Sequence, residues 1–351
     1  MKKNVLKHWY LTLIVAISIV CYLSVFVSPV KFWPAVFGSY AIPGIVLLNL
    51  ILFFGILFFK KQLVVFPLVA LLLGLPFVLI SISYRGEKTT EKYDLSILSF
   101  NARFFQTSKA YNEYSSEMID WVANDSSQIK CIQEYSPSAN NAGSNVDDLI
   151  KGSNYNSSIY TATLVKSLKK QGVAIFTTYE ILDTGMVWKD NFSINVALYA
   201  DIKKGKDTLR IYNVHLASMR LNIKQYKYLD QYKSKLKSLI SRLKYGSEIR
   251  SSQIDKLIAH ANECPYPYII CGDFNETPYS YNYFKLKRHF SNAFEKAGNG
   301  FGFTFNSLLF FLRIDHHFYS DEMESIDFRV DRSMKLSDHF PTRGYYRLNK
   351  K

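Results

Sequence analysis

The sequence predicts an α/β or α+β domain preceded by membrane-spanning helices. Three observations carry that expectation. Long charge-free apolar runs are confined to the first 85 residues, strand and helix patterns intermix after them, and polar residues stand at the ends of several strands.

The compositional break is abrupt. Residues 1–85 hold seven Lys or Arg and no Asp or Glu, and all 29 acidic residues follow Arg85. The remaining 36 basic residues leave 86–351 with a net charge of +7. That balance suits an anionic substrate or lipid surface without requiring either.

The apolar runs are Leu11–Ser28, Ala35–Phe59 and Leu63–Ser83. Each is long enough for a helix to cross roughly 30 Å of hydrocarbon. Lys2, Lys3 and Lys7 also fit the basic start of a cleaved signal peptide. A retained helix is the better reading, because no small-x-small cleavage site follows and two further runs come directly after. Pro43, Pro67 and Pro76 are tolerated where neighbouring helices re-satisfy the backbone. The positive-inside rule places the N-terminus and the Lys60–Lys61 loop in the cytoplasm. Three crossings then put everything beyond Tyr84 on the extracytoplasmic side of the cell membrane. With no charge inside any run, nothing marks a transport pathway.

Residues 86–93 read as a short charged linker and 94–351 as the soluble domain. Asp94–Phe100 alternates apolar and polar residues, which predicts a half-buried strand. Ser115–Asn124 reads as a helix. Strand patterns follow at Gln128–Gln133, Val173–Thr177, Ile194–Ile202, Leu209–His215, Tyr268–Cys271, Arg313–Phe318, Ser325–Val330 and Thr342–Leu348. Residues 137–154, rich in Ser, Asn and Gly, predict a surface loop. Between Leu221 and Ala261 the period becomes helical, with Leu229, Tyr232, Leu236, Leu239, Ile240 and Leu243 forming an apolar stripe. The opposite face carries Lys227, Lys233, Lys235, Lys237, Arg242 and Lys244, a pattern that a solvated face explains better than contact with anionic lipid.

The four cysteines form no disulfide framework and no zinc pattern. Cys21 lies in an apolar run, Cys131 and Cys271 in strands, and Cys264 in a loop.

The chemistry-bearing residues stand at strand ends. Asn101 follows SILSF, Glu134 follows KCIQ and His215 follows IYNV; each alone has an ordinary structural explanation. ICGDFNETP at 270–278 is less ordinary, because an apolar strand delivers Asp273 and Asn275 into a loop that Gly272 lets approach closely. RID at 313–315 and SDHFP at 337–341 add Asp315, Asp338 and His339. Four carboxylates, two histidines and two asparagines make an oxygen-rich set that suits Mg²⁺ or Mn²⁺, whereas a closed Cys/His zinc set is absent.

The series SFNAR, IQE, NVHLAS, CGDFNETP, RID and SDHFP resembles the endonuclease/exonuclease/phosphatase superfamily, in family order across residues 94–348. GDFN and SDH are its most specific members. RSSQ at 250–253, read as a helix start, and GFGFTF at 300–305 fit as well. The chain looks especially like the membrane-attached bacterial members. The resemblance implies two packed mixed β-sheets flanked by helices, with the site at one end of the sandwich. It further implies Glu134 as principal metal ligand, with Asn101 beside it and Asp338 nearby. His215 would contact phosphate, Asp273 would orient or deprotonate water, and Asn275 would steady the transition-state oxygens. His339 would be general base or phosphate-polarising group, with Asp315 fixing its tautomer.

Two departures bear on substrate. Arg103 stands where DNA-repair members usually carry an acid, and His215 stands where they favour Tyr. The expectation is therefore a membrane-anchored, metal-dependent phosphodiesterase or phosphatase acting on an anionic phosphoester such as a lipid head group. An extracytoplasmic nuclease is the alternative enzyme, and a catalytically inactive binding or scaffold protein the non-enzymatic one. No protein partner can be inferred. His316 and His317 read as exposed or core-edge residues rather than as tuners of a metal site.

Overall fold

The computed structural model describes residues 8–84, 92–107, 114–137, 145–152, 154–163, 170–189, 194–218, 235–307 and 309–349. The helices are α1 (Trp9–Leu23), α2 (Ala35–Phe59), α3 (Val65–Ser81), α4 (Ser116–Asn124), α5 (Val146–Lys151), α6 (Lys235–Asn262), α7 (Tyr281–Lys287) and α8 (Ala293–Ala297). The strands are β1 (Leu95–Asn101), β2 (Ile129–Tyr135), β3 (Asn156–Thr163), β4 (Lys170–Thr177), β5 (Glu180–Lys189) and β6 (Val196–Lys204). They continue with β7 (Asp207–His215), β8 (Tyr268–Asp273), β9 (Ser291–Asn292), β10 (Asp315–Tyr319), β11 (Met323–Val330) and β12 (Thr342–Leu348).

The chain divides into two units. The first comprises the described parts of Met1–Ser81, Met219–Ser251 and Thr277–Arg288. Trp9–Phe26, Ala35–Phe59 and Lys61–Ser81 are each long and apolar enough to cross a membrane. Val20, Ile51, Phe58 and Leu79 are exposed on them, which water would penalise and acyl chains would not. Between the helices, Tyr22, Val25, Ile42 and Phe77 pack together, and a polar tie adds to this packing. Asn49 Nδ2 donates to Ser18 Oγ at 2.9 Å and to the Ile45 carbonyl at 2.8 Å. α2 and α3 continue through Pro43 and Pro76. Tyr279 and Phe284 pack on this bundle, Phe284 lying 6.1 Å and 5.9 Å, ring to ring, from Phe26 and Phe77.

The second unit comprises the described parts of Ile82–Ser218, Ser252–Glu276 and His289–Lys351. It contains two six-stranded sheets, ordered β11-β12-β1-β2-β4-β3 and β5-β6-β7-β8-β10-β9. Each is mixed: β1–β2 and β7–β8 are parallel, and the other pairs are antiparallel. Ile97, Cys131 and Ile175 from one sheet meet Leu198, Ile211 and Cys271 from the other in a common core. Each such aliphatic residue contributes about 1.5–3 kcal/mol of burial free energy. A polar tie crosses this core. Gln133 Nε2 donates to Asn213 Oδ1 at 2.6 Å, and Asn213 Nδ2 donates to the carbonyls of Ile132 and Ala174. Because Gln133 precedes Glu134 and Asn213 lies two residues before His215, the tie fixes two candidate site residues across the sheets.

Several expectations are corrected. β1 is buried along its whole length, not half-buried. Its second face lies under α4, with Phe100 in a cluster with Met118 and Val122, while Ser96 and Ser99 bond to Gln128 and Gln133. The loop expected at 137–154 contains α5, capped by the Asn145 side chain accepting from Asp147 N; residues 138–144 lie outside the described residues. RSSQ is the middle of α6, not a helix start, and Leu239 of the expected stripe is exposed. Leu229, Tyr232, Lys227 and Lys233, like most of the expected linker, lie outside the described residues.

Candidate active site

The parallel pairs decide where the site forms. β1 and β2 run alongside each other, as do β7 and β8, and in each pair the C-terminal ends carry the polar residues. Asn101 ends β1, and Glu134 lies in the last turn of backbone of β2. His215 ends β7 and is in register with Asp273, which ends β8; Asp315 opens β10 opposite the same Asp273. Asp338 and His339 come from the connection between β11 and β12.

Backbone irregularities aim these groups. β2 bulges against β4 between Ile132 and Tyr135, and Glu134 takes φ 46°, a left-handed conformation costly for a residue with a Cβ. Asn275 has φ 50°, and its N–H donates to Asp273 Oδ1 at 2.8 Å. At Gly272, φ is 144° and a Cβ would fall 2.0 Å from the Val214 carbonyl oxygen. Only glycine lets the two strands approach this closely.

The side chains converge. Asn101 Nδ2 donates to Asp273 Oδ2 at 3.0 Å and to Glu134 Oε1 at 3.4 Å. His339 Nδ1 lies 3.1 Å and 3.0 Å from the two oxygens of Asp315, and its Nε2 lies 3.7 Å from Asp273 Oδ2. His215 Nε2 is 3.7 Å from Glu134 Oε1 and 3.8 Å from Asp273 Oδ2. Both His215 ring nitrogens are buried and lack a hydrogen-bond partner among the described residues. Asp338 sits further out, with Arg103 Nε 4.0 Å from its carboxylate. Asn275 Nδ2 donates to the Leu216 carbonyl at 3.2 Å. Six of the eight expected residues thus form one contiguous group, with Asp338 and Asn275 at its margin. Asp273, Asp315 and His339 offer ligand atoms within 4.8 Å of one another.

Burial dominates the electrostatics. It pushes the carboxyls of Glu134 and Asp273 up, against the pull of the nearby histidines. Burial alone would lower His339, but the charges of Asp315 and Asp273 and the Asp315 hydrogen bond prevail, raising it to about 10. His339 is therefore an imidazolium at neutral pH, with Nδ1–H directed at Asp315.

Two histidines differ from expectation. His316 and His317 are fully buried inside β10, not exposed or at the core edge. His317 bonds Tyr346 Oη at 2.8 Å and Thr342 Oγ1 at 3.1 Å, and His316 Nε2 lies 2.8 Å from the Glu276 carbonyl. Burial pushes both down to about 3.

Sequence reasoning also passed over supporting residues. Ser337 Oγ donates to the Asn101 carbonyl at 2.8 Å and accepts from His339 N at 3.2 Å, locking the histidine loop to β1. Thr304 Oγ1 accepts from the N–H groups of Ile314 and Asp315. Gln133 and Asn213 are amides inside apolar strands, where two buried polar residues at a matching offset from strand ends were the available signal.

The chain belongs to the endonuclease/exonuclease/phosphatase family, whose sequence model matches residues 98–339. Residues 3–80 match a second model, described as a domain of unknown function (DUF8431). The structure is similar to that of an endonuclease/exonuclease/phosphatase from Beutenbergia cavernae, with TM-score 0.55 and 13% identity over 73% of this chain and 72% of that one. It is similar also to the endonuclease/exonuclease/phosphatase from Bacteroides vulgatus, with TM-score 0.53 and 16% identity over 73% of this chain and 100% of that one. The 3′-phosphatase NExo from Neisseria, bound to a product DNA hairpin, aligns with TM-score 0.50 and 15% identity over 71% and 98% of the two chains. No curated protein matches the sequence significantly. At these identities the solved structures establish the shared fold, and the family match establishes membership among phosphoester-directed nucleases and phosphatases.

Proposed function

We propose that the chain is a membrane-anchored phosphoester hydrolase that requires a divalent cation, Mg²⁺ or alternatively Mn²⁺, and attacks with an activated water. Residues 94–351 are the catalytic part and 1–85 the anchor, and the basic residues flanking the spans favour a site outside the cytoplasm. One observation carries the reading: the bonded Asp315–His339 pair converges with Asp273, Asn101, Glu134 and His215 at the strand ends of a fold whose family acts on phosphoesters.

The donor set fits a hard cation. Asp273 is buried and Glu134 partly buried, both with raised pKa, and among the described residues no Lys or Arg lies within ion-pair distance of either. Such carboxylates call for more positive charge than the His339 imidazolium facing Asp273 supplies. Glu134 with Asn101 is assigned as the holding pair, with Asp338 alongside; Asp315 is already engaged by His339. A bound ion would supply charge neutralisation and Lewis acidity toward a phosphoryl oxygen.

The chain's own residues do the rest. Asp273, a stronger base for its burial, orients the attacking water and takes its proton. His339, held as imidazolium by Asp315, polarises the phosphoryl group; its raised pKa favours this role over that of general base. The unpartnered His215 nitrogens are assigned to the phosphate oxygens. The second N–H of the Asn275 amide is assigned to the transition-state oxygens. Arg103 and His215 favour a lipid or small-metabolite ester over nucleic acid, and the filled catalytic positions argue against an inactive scaffold.

The test is titration of Mg²⁺ and Mn²⁺ into the detergent-solubilised full chain, paired with hydrolysis of a water-soluble phosphodiester and monoester. Glu134→Gln should lose both binding heat and turnover. Turnover that persists in chelator would sink the reading.

A further inference from the structure

The loop between α8 and β10 combines two features that do not ordinarily occur together. Its base is part of the scaffold of the candidate site. Thr304 and Phe305 N–H groups both donate to the Leu312 carbonyl, and Thr304 Oγ1 receives the Asp315 N–H. Phe305 pairs with His339, ring to ring at 5.3 Å, and Asn306 N donates to the Asp338 carbonyl at 2.7 Å. Its tip is apolar and bare. Leu309 is 47% exposed, Phe310 64% and Phe311 47%, and Phe301, before the base and stacked on Phe303, is 52% exposed. Elsewhere among the described residues of this unit, large exposed apolar side chains stand singly or in pairs, as Leu149 does, and Leu182 with Met186. A concentrated patch of this kind is costly in water unless something covers it.

The covering surface is indicated by three observations. Gly300, immediately before Phe301, pairs with Ser83: Ser83 N donates to the Gly300 carbonyl at 3.0 Å, and Gly300 N to the Ser83 carbonyl at 2.8 Å. Ser83 is two residues past the end of α3, so the chain cannot carry it more than about 7 Å beyond the last apolar helix. The start of the loop is therefore tied to a residue that follows the third apolar helix by two positions in the chain. Exposed cations stand beside it: Arg332 donates to the Phe303 carbonyl at 3.4 Å, and Asn306 Nδ2 donates to the Lys335 carbonyl at 3.3 Å. Apolar tips flanked by Arg and Lys are what the anionic interface of a bilayer accepts.

We propose that the tip formed by Leu309, Phe310 and Phe311 inserts into the outer face of the membrane that the chain spans, and that the substrate is a phosphoester in a lipid head group of that membrane. The second clause rests on the hydrolase reading above; insertion does not. With Asp338, His339 and Asp315 attached to the loop's base, a head group at that depth meets the site without its lipid leaving the bilayer. The loop thus sets specificity by depth, accepting esters held at the interface.

The experiment uses the full chain in nanodiscs of phosphatidylethanolamine and phosphatidylglycerol. In a Cys264→Ser background, Phe310→Cys is labelled with an environment-sensitive fluorophore, and Met186→Cys provides the comparison; Cys21, Cys131 and Cys271 are buried. The label at 310 should emit as in an apolar medium and be quenched by lipid carrying a nitroxide near the head group, while that at 186 should not. Release of phosphorylated head groups from the same nanodiscs, relative to hydrolysis of a water-soluble phosphodiester, should fall about tenfold in the Phe310→Ser/Phe311→Ser double variant. Water-like emission at 310 overturns the proposal even where the soluble ester is hydrolysed. So does shielding of the label by nucleic acid or by a second copy without lipid. An inserted label in a chain that cleaves no ester overturns the hydrolase reading and leaves the insertion standing.

Discussion

Replacing Asp315 by Asn keeps the shape of the side chain and removes its charge, which tests the Asp315–His339 pair where it matters most. Both carboxylate oxygens lie close to His339 Nδ1, at 3.1 Å and 3.0 Å. At an effective dielectric of about 20 and a charge separation of about 4 Å, the attraction removed is about 4 kcal/mol. At roughly 1.4 kcal/mol per pH unit, His339 should then titrate near 7 rather than at about 10. The sign follows from the raised value. The imidazolium persists below the folded pKa and is lost as pH rises through it, so activity that needs the charged ring extends to alkaline pH in the parent. In Asp315→Asn the alkaline limb should move down by about three pH units, and the rate at pH 8, one unit above the new limb, should fall about tenfold. The assay is kcat/KM for a phosphodiester between pH 5 and 10 with Mg²⁺ present, with circular dichroism confirming the fold. An alkaline limb that stays in place while the variant is folded would refute the coupling of His339 to Asp315.

Gly272→Ala places a methyl 2.0 Å from the Val214 carbonyl and asks a Cβ-bearing residue to hold φ 144°. The expected cost is about 3 kcal/mol of stability, with about 100-fold loss of turnover because both flanking residues, Asp273 and His215, are displaced; thermal unfolding and hydrolysis check the two. His316 and His317, neutral in the fold with pKa near 3, leave stability intact above the unfolded value of about 6.5. Below it the unfolded chain takes up protons that the fold cannot, and each histidine should cost about 2 kcal/mol between pH 6.5 and 5. Denaturant midpoints against pH, followed by Trp121 and Trp188 fluorescence, should show a shallower acid slope in His317→Gln. A reporter active only outside the cytoplasm, fused to the C-terminus, should be active; a well-expressed but silent fusion contradicts the outward orientation.

Much of the site was legible because its chemistry interrupts patterns. Asp273 and Asn275 follow an unbroken apolar strand, and Asp315 and His339 sit in short motifs with no packing reason to be polar. Strands with buried side chains were legible for the same reason, since burial imposes composition. The edge strand β5 was not: most of its ten residues are at least partly exposed, so no periodicity was imposed on EILDTGMVWK. Gln133 and Asn213 were missed because their tie exists only across the sheets, 80 residues apart in the chain, and Ser337 because the carbonyl it holds, that of Asn101, lies 236 residues away. His316 and His317 were misjudged because polar residues within β10 suggest exposure, whereas Tyr346 and Thr342 of a distant strand supply the bonds that let His317 be buried. The apolar run at 309–311 carries no sign of exposure in its sequence, whereas the structure leaves all three side chains exposed.

The most direct measurement of the central claim is hydrolysis of phosphoesters by the purified full chain, with Mg²⁺ and then with chelator, beside Asp273→Asn. Turnover that requires the ion, disappears in chelator, returns on adding Mg²⁺ and falls at least about 10³-fold in the variant is the predicted result. A folded, metal-supplied chain that cleaves no lipid, nucleotide or sugar phosphoester, or an Asp273→Asn variant as active as its parent, would contradict it.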